Sequence, residues 1–132
     1  DVLILNKEEA LRLTRQGDVA RNLSDLQELA HIVVVTQGKD GAHAACGGGI
    51  YAIRPFEVPV VDVTGAGDAF GCGFVAALMK GNGIEEALRW GAANASSVVM
   101  HLGTKNILLT EAEIERFIER HSSAQKHGGA NA

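Results

Sequence analysis

The hydrophobic pattern of the chain contains two uninterrupted apolar runs, at residues 2–5 and 32–35. Runs of this length without polar alternation are typical of strands buried on both faces of a parallel sheet. The whole pattern predicts strands at 2–5 and 32–36, a β-rich stretch at 42–60, and helices at 7–16, 24–30, 66–80, 84–100 and 111–121. This alternation of strands and helices predicts an α/β fold with a mainly parallel sheet.

Capping signals indicate where two of the helices begin. Ser24 with Gln27, and Thr110 with Glu113, have the spacing of a capping box, in which each side chain satisfies a backbone amide of the other residue. The segment Gly91–Ser97 is rich in small residues within an otherwise apolar helix face. Small side chains there would let this helix pack closely on a neighbouring helix.

Composition limits the kind of protein this is. With 132 residues and 46% hydrophobic content, residues 1–121 are expected to form one domain, followed by a polar, flexible tail at 122–132. A net charge of -4 argues against a nucleic-acid or membrane-surface partner. Cys46 and Cys72 lack the spacing of a metal or redox motif, so we expect reduced thiols and a cytoplasmic location.

The segment with the most chemical information joins an apolar strand end, a glycine-rich turn and a helix start. It reads Asp62-Val63-Thr64-Gly65-Ala66-Gly67-Asp68-Ala69-Phe70. Free amides at a helix start bind anions, and glycines let the backbone approach a phosphate closely. An acid weakens a site that only holds phosphate. Asp68 is therefore better suited to accept a proton from a hydroxyl that attacks a phosphate.

Two common phosphate-binding motifs do not fit this chain. The sequence has no Gly-x-x-x-x-Gly-Lys-Ser/Thr, the signature of P-loop proteins. The dinucleotide fingerprint Gly-x-Gly-x-x-Gly fails because Phe70 occupies the position of the third glycine. A dinucleotide-binding domain is therefore the weaker interpretation.

The segment 62–74 resembles the second signature of the PfkB (ribokinase-like) carbohydrate and nucleoside kinases, with Val63 where the family usually has Thr. The resemblance implies a three-layer α/β/α fold and transfer of the γ-phosphoryl group of ATP, with Mg²⁺, to a sugar or nucleoside hydroxyl. It implies that Asp68 is the catalytic base. The backbone amides of Gly65, Ala66 and Gly67 would form the anion hole for the transferring group.

Two upstream elements also resemble parts of the family's nucleotide site. Residues 36–41 match its Thr-x-Gly-x-x-Gly element, which would place Thr36, Gly38 and Gly41 near the nucleotide phosphates. Asn6 and Glu9 match an Asn-x-x-Glu motif of the phosphate and Mg²⁺ environment, where Glu9 would act on the metal directly or through water. The same two residues also have the spacing of a plain capping box.

Further features implied by the resemblance have less support in the sequence. Many family members hold a monovalent cation behind the anion hole, which here would make Asp62, Thr64 and carbonyls of 98–103 ligands for K⁺. Asn94 lies near the expected adenine pocket, although an interior Asn that packs between helices explains it equally well.

The chain begins at Asp1, inside an apolar run, and family members are longer with their signature near the C-terminus. We therefore expect the C-terminal part of a kinase, without the N-terminal part and lid that contact the acceptor. Its expected partners are ATP and the acceptor, together with either a second copy or the missing N-terminal part. Two alternatives are a truncated module that binds nucleotide without turnover and a structural fragment that self-associates.

Overall fold

The computed structural model describes residues 1–15, 19–100 and 109–129. The elements are, in chain order, β1 (Val2–Asn6), α1 (Lys7–Thr14), α2 (Val19–Leu26), β2 (Ile32–Thr36), β3 (Ala42–Cys46), β4 (Gly49–Ile53), α3 (Ala66–Met79), α4 (Ile84–Val99) and α5 (Glu111–Gly129). A 3₁₀ turn at Gly38–Asp40 joins β2 to β3. Within these ranges, no helix is both long and apolar enough to cross a membrane.

The four strands form one sheet in the order β1-β2-β3-β4. β1 and β2 are parallel, whereas the pairs β2–β3 and β3–β4 are antiparallel. The predicted mainly parallel sheet is therefore corrected to a mixed sheet. The reason lies in the connections, since α1 and α2 provide the long crossover that a parallel pair needs. The turns after β2 and β3 are too short for a crossover and produce hairpins.

The sheet separates two hydrophobic cores, which confirms the three-layer arrangement. Val33 and Val35 of β2 pack into the core under α1 and α2, together with Leu23. Val34, between them, packs into the opposite core with Phe74 of α3. All three valines are fully buried, which is why β2 has an uninterrupted apolar sequence.

The first of the two predicted capping boxes is wrong, and so are the bounds of its helix. Ser24 lies inside α2, which ends at Leu26 and is followed by a turn instead of the helix predicted at 24–30. Leu23 and Leu26 are buried against the sheet, and a helix that began after Leu23 would lose the first of these anchors. Tertiary burial therefore set the position of this helix.

The second capping box is confirmed at the start of α5. The amide of Glu113 donates to Thr110 Oγ1 at 3.2 Å, and the amide of Thr110 donates to Glu113 Oε1 at 2.9 Å. The backbone of α5 continues to Gly129, past the boundary predicted at residue 122. The flexibility of the tail stays a prediction.

Two glycines let α3 and α4 approach each other closely. A Cβ atom at Gly73 of α3 would lie 2.7 Å from the backbone oxygen of Trp90 in α4. A Cβ atom at Gly91 of α4 would lie 2.9 Å from the ring of Phe70 in α3. Both distances are too short for a side chain, so this pair of helices depends on small residues, as the sequence predicted for α4.

Candidate active site

The glycine-rich turn forms an open helix start. Gly65 has a left-handed backbone (φ +83°), which glycine adopts at little cost, and α3 begins directly after it. The amide of Ala66 donates to the Val63 carbonyl at 3.2 Å, and that of Ala69 donates to the Gly65 carbonyl at 2.9 Å. Within the described part of the chain, the amides of Gly67 and Asp68 have no such acceptor. Two donors are therefore available to an anion.

Gly67 and Asp68 face open space at this helix start. Both residues are exposed, and a Cβ atom at Gly67 would meet no other atom within 4 Å. Packing within the chain therefore does not explain why Gly67 is a glycine, whereas close approach of a ligand would explain it. The carboxylate of Asp68 lies in the first turn of α3, on the same residue as one of the unpaired amides.

The segment before the turn is attached to the end of α4. The Val99 carbonyl accepts hydrogen bonds from the amides of Val61, at 2.7 Å, and Asp62, at 3.1 Å. Asp62 Oδ1 accepts from the Thr64 amide at 3.0 Å. This bond from the Thr64 amide, and then the bond from the Thr64 hydroxyl, lower the pKa of the Asp62 carboxyl.

These bonds bring Asp62 and Thr64 next to the beginning of the segment predicted to share a K⁺ site with them. Residues 101–103 of that segment lie outside the described part of the chain. The described residues contain no group of three or more His, Cys, Asp or Glu side chains that could hold a metal ion.

A second group of predicted residues meets at the carboxyl ends of β1 and β2. Asn6 and Thr36 are direct partners in the parallel register. The Asn6 amide donates to Glu9 Oε1 at 2.9 Å, and the Glu9 amide donates to Asn6 Oδ1 at 2.8 Å. The capping box is thus confirmed, and its contribution to metal binding stays a prediction. Ligands of open α/β sheets bind at this edge of the sheet.

The two glycines of the β2–β3 turn have different surroundings. Gly41 has φ +89°, and a Cβ atom there would overlap the backbone oxygen of Ile53 in β4. Gly38 has φ +55° but open space around its Cβ position. Packing within the chain accounts for Gly41, whereas Gly38 leaves room for a ligand.

Gln37, in the same turn, was not singled out from the sequence. Its Oε1 atom is buried and has no hydrogen-bond partner among the residues that the structure describes. The residue occupies a variable position of the Thr-x-Gly-x-x-Gly pattern, so no sequence signal could have identified it.

Asn94 is buried and hydrogen-bonded inside the protein. Its Nδ2 atom donates to the Ala69 carbonyl at 2.7 Å, and its Oδ1 atom accepts from the Leu109 amide at 2.8 Å. Only 1% of the residue is exposed. These contacts support the interpretation of Asn94 as a residue that packs between helices, and contact with adenine stays a prediction.

Apart from Asn94, the predicted residues lie in two groups, one at the start of α3 and one at the strand edge. Packing connects them, since a Cβ atom at Gly71 of α3 would lie 3.7 Å from Ile4 Cδ1 of β1. No hydrogen bond between the two groups is present among the described residues.

Comparison with known proteins agrees with this geometry. Residues 1–111 match the model of the pfkB family of carbohydrate kinases. The chain is 39% identical over 101 residues to the 5-dehydro-2-deoxygluconokinase of Geobacillus kaustophilus, covering 74% of this chain and 30% of that protein. It is 35% identical over 98 residues to the adenosine kinase of Schizosaccharomyces pombe, covering 69% of this chain and 29% of that protein.

The fold is also that of solved kinases. The structure of Arabidopsis thaliana ribokinase complexed with ribose and ATP matches with a TM-score of 0.81 and 28% identity, covering 90% of this chain and 41% of that one. The ribokinase-like fold predicted from the sequence is thereby confirmed, for a chain that spans less than half the length of these relatives. Because the family model matches most of its residues, the protein belongs to the pfkB family of carbohydrate kinases.

Proposed function

We propose that this chain is the nucleotide-binding and catalytic part of a kinase that transfers the γ-phosphoryl group of ATP to a hydroxyl of a sugar or nucleoside. One observation carries the proposal. The start of α3 combines two amides without an acceptor in the described chain, open space at Gly67 and the exposed carboxylate of Asp68. These are the features that phosphoryl transfer needs, namely an anion hole and a base within one turn of backbone.

In this proposal the turn Gly65–Gly67 binds the transferring phosphoryl group through backbone amides. The unpaired amide of Gly67, with that of Asp68 beside it, stabilises the charge that develops on the phosphoryl oxygens. The carboxylate of Asp68 accepts the proton of the acceptor hydroxyl as its oxygen bonds to phosphorus. ADP leaves as the bond between the γ-phosphorus and the oxygen that bridges to the β-phosphate breaks.

The strand-edge group would hold the rest of the nucleotide phosphates. Thr36 and Gly38 would approach the phosphates, and Gly41 keeps the turn in place against β4. Asn6 and Glu9 would form the environment of Mg²⁺. Glu9 Oε1 is used in the capping box, so its second carboxylate oxygen is the one available to the metal or to a metal-bound water. When bound, Mg²⁺ would neutralise phosphate charge.

A K⁺ ion is proposed behind the anion hole, with Asp62, Thr64 and carbonyls near the end of α4 as ligands. The hydrogen bond from the Thr64 amide to Asp62 Oδ1, at 3.0 Å, supports this role because it holds the carboxylate beside the turn. The hydrogen bonds from Val61 and Asp62 to Val99 support it as well, since they hold the two contributing segments together.

We propose that most of the residues that bind the acceptor lie in the part of the relatives' length that this chain does not span. Relatives named for a sugar acid and for adenosine both match, so either class of acceptor is consistent with the chain. We also propose a cytoplasmic location and association with an N-terminal part of the kinase. β1 is an edge strand of the sheet, and its outer edge has no partner among the described strands.

Calorimetric titration of MgADP into the 132-residue chain, with K⁺ present, tests the proposal after a thermal melt has established cooperative folding. Saturable binding is expected. A cooperatively folded monomer that binds no MgADP contradicts the proposal that this chain carries the nucleotide site. Concentration-dependent self-association without nucleotide affinity favours a structural fragment. Binding by the chain, with no phosphoryl transfer when the full-length protein is screened with sugars and nucleosides, favours a binding module.

A further inference from the structure

Asn94 joins three segments that are distant in the sequence. It lies in the middle of α4, donates to the Ala69 carbonyl in the first turn of α3, and accepts from the Leu109 amide just before α5. A buried amide that makes such bonds fixes the relative position of the segments that it joins, because leaving a buried polar group unpaired is costly.

The bond to Ala69 acts directly beside the candidate catalytic residue. Ala69 follows Asp68, and its own amide donates to the Gly65 carbonyl at 2.9 Å. The N–H of Ala69 is thus bonded to the glycine turn, and its carbonyl accepts from Asn94 Nδ2 at 2.7 Å. The directions of the unpaired Gly67 and Asp68 amides depend on this part of the backbone.

The approach of the two helices makes this contact possible. A Cβ atom at Gly73 of α3 would lie 2.7 Å from the Trp90 carbonyl oxygen and 3.1 Å from the Cβ of Asn94, so a side chain there would push α4, and Asn94 with it, away from Ala69. On the other side of the turn, the Val99 carbonyl of α4 binds the amides of Val61 and Asp62. α4 therefore supports the candidate turn from both sides.

We propose that Asn94 is a positioning residue that orients the anion-binding amides of Gly67 and Asp68 through the Ala69 carbonyl. The proposal rests on the proposed function, because it assigns these amides to a phosphate. The other interpretation is that Asn94 only stabilises the packing of α3 on α4. The two interpretations differ in whether loss of Asn94 changes the turn locally or only lowers global stability.

Two variants of the 132-residue chain separate these interpretations. Asn94→Leu removes the hydrogen bonds to Ala69 and Leu109, whereas Asn94→Asp keeps the shape and the acceptor for Leu109 but cannot donate to Ala69 when ionised. Asn22→Leu is the matched control. Asn22 is also a fully buried asparagine, and it accepts from the Thr14 hydroxyl at 2.6 Å between α1 and α2.

Amide hydrogen exchange resolved by residue is the first measurement, with rates corrected for the global stability of each variant. We expect the Ala69 amide to exchange about tenfold faster in both Asn94 variants and to be unchanged in Asn22→Leu, because only the former lose a local contact. Titration of MgADP is the second measurement. We expect about tenfold weaker binding in the Asn94 variants, since misdirected amides hold phosphate less well.

Equal exchange at Ala69 in the Asn94 variants and in Asn22→Leu overturns the positioning role. Failure of both Asn94 variants to fold also overturns it, because Asn94 would then be required for the whole structure. If the unsubstituted chain binds no MgADP, the proposed function fails. Local loss of protection at Ala69 would in that case still support positioning of the turn by Asn94.

Discussion

Substitution of Gly67 by alanine should change the stability of the fold and the affinity for nucleotide in different ways. Gly67 lies in the first turn of α3, without a positive φ, and an added Cβ atom would meet nothing within 4 Å. Alanine is a better helix former than glycine, by about 0.5–1 kcal/mol. We therefore expect Gly67→Ala to raise the melting temperature by roughly 2–4 °C in a chain of this size.

The same methyl group should weaken nucleotide binding. It would occupy the open space through which a phosphate reaches the Gly67 amide. Loss of a hydrogen bond to a charged group costs about 1.5–3 kcal/mol, which corresponds to a roughly ten- to hundredfold loss of MgADP affinity. Stability and affinity should thus change in opposite directions, which no general loss of structure would produce.

The assay combines thermal melts with calorimetric titration of MgADP, and Gly83→Ala is the control. Gly83 precedes α4, also with open space at its Cβ position and no positive φ, and is not among the candidate site residues. The control should bind MgADP as the unsubstituted chain does. If Gly67→Ala is as stable as expected and binds MgADP with unchanged affinity, the Gly67 amide does not contact phosphate and the reasoning is refuted.

Three further predictions concern single residues. Asp68→Asn in the full-length kinase should lower the rate of phosphoryl transfer by about 10²–10⁴-fold with little change in MgADP affinity, and a rate within about tenfold of normal would contradict its role as base. Gly41→Ala should destabilise the fold by about 3 kcal/mol in urea denaturation, through overlap with the Ile53 carbonyl, and by more than the Gly38→Ala control, which has a positive φ but open space. Burial lowers the pKa of His43, so stability should be full above about pH 6.5 and fall as the pH drops through the folded-state pKa, because the unfolded chain then binds more protons. Melting temperatures of His43→Leu measured between about pH 8 and pH 5 should show a weaker pH dependence, and an unchanged slope would contradict this assignment.

Features encoded by neighbouring residues could be predicted from the sequence. The uninterrupted valines of β2 identified a strand buried on both faces, and the capping boxes at Asn6 and Thr110 identified two helix starts. The capping box at Ser24 was wrong because the same short pattern also occurs inside a helix. There, burial of Leu23 and Leu26 decided which residues are helical.

The sequence by itself determined the family and the composition of the candidate turn, because the motif at 62–74 is contiguous and its chemistry depends on local backbone. Only the tertiary structure decided what each glycine and asparagine does. Gly41 and Gly67 both lie in glycine-rich turns of the sequence. In the structure the Cβ position of Gly41 faces the Ile53 carbonyl, whereas that of Gly67 faces open space. Asn94 likewise acquires its role from Ala69, a partner that lies far from it in the chain. Such contacts arise when separate elements pack together, so no local pattern encodes them.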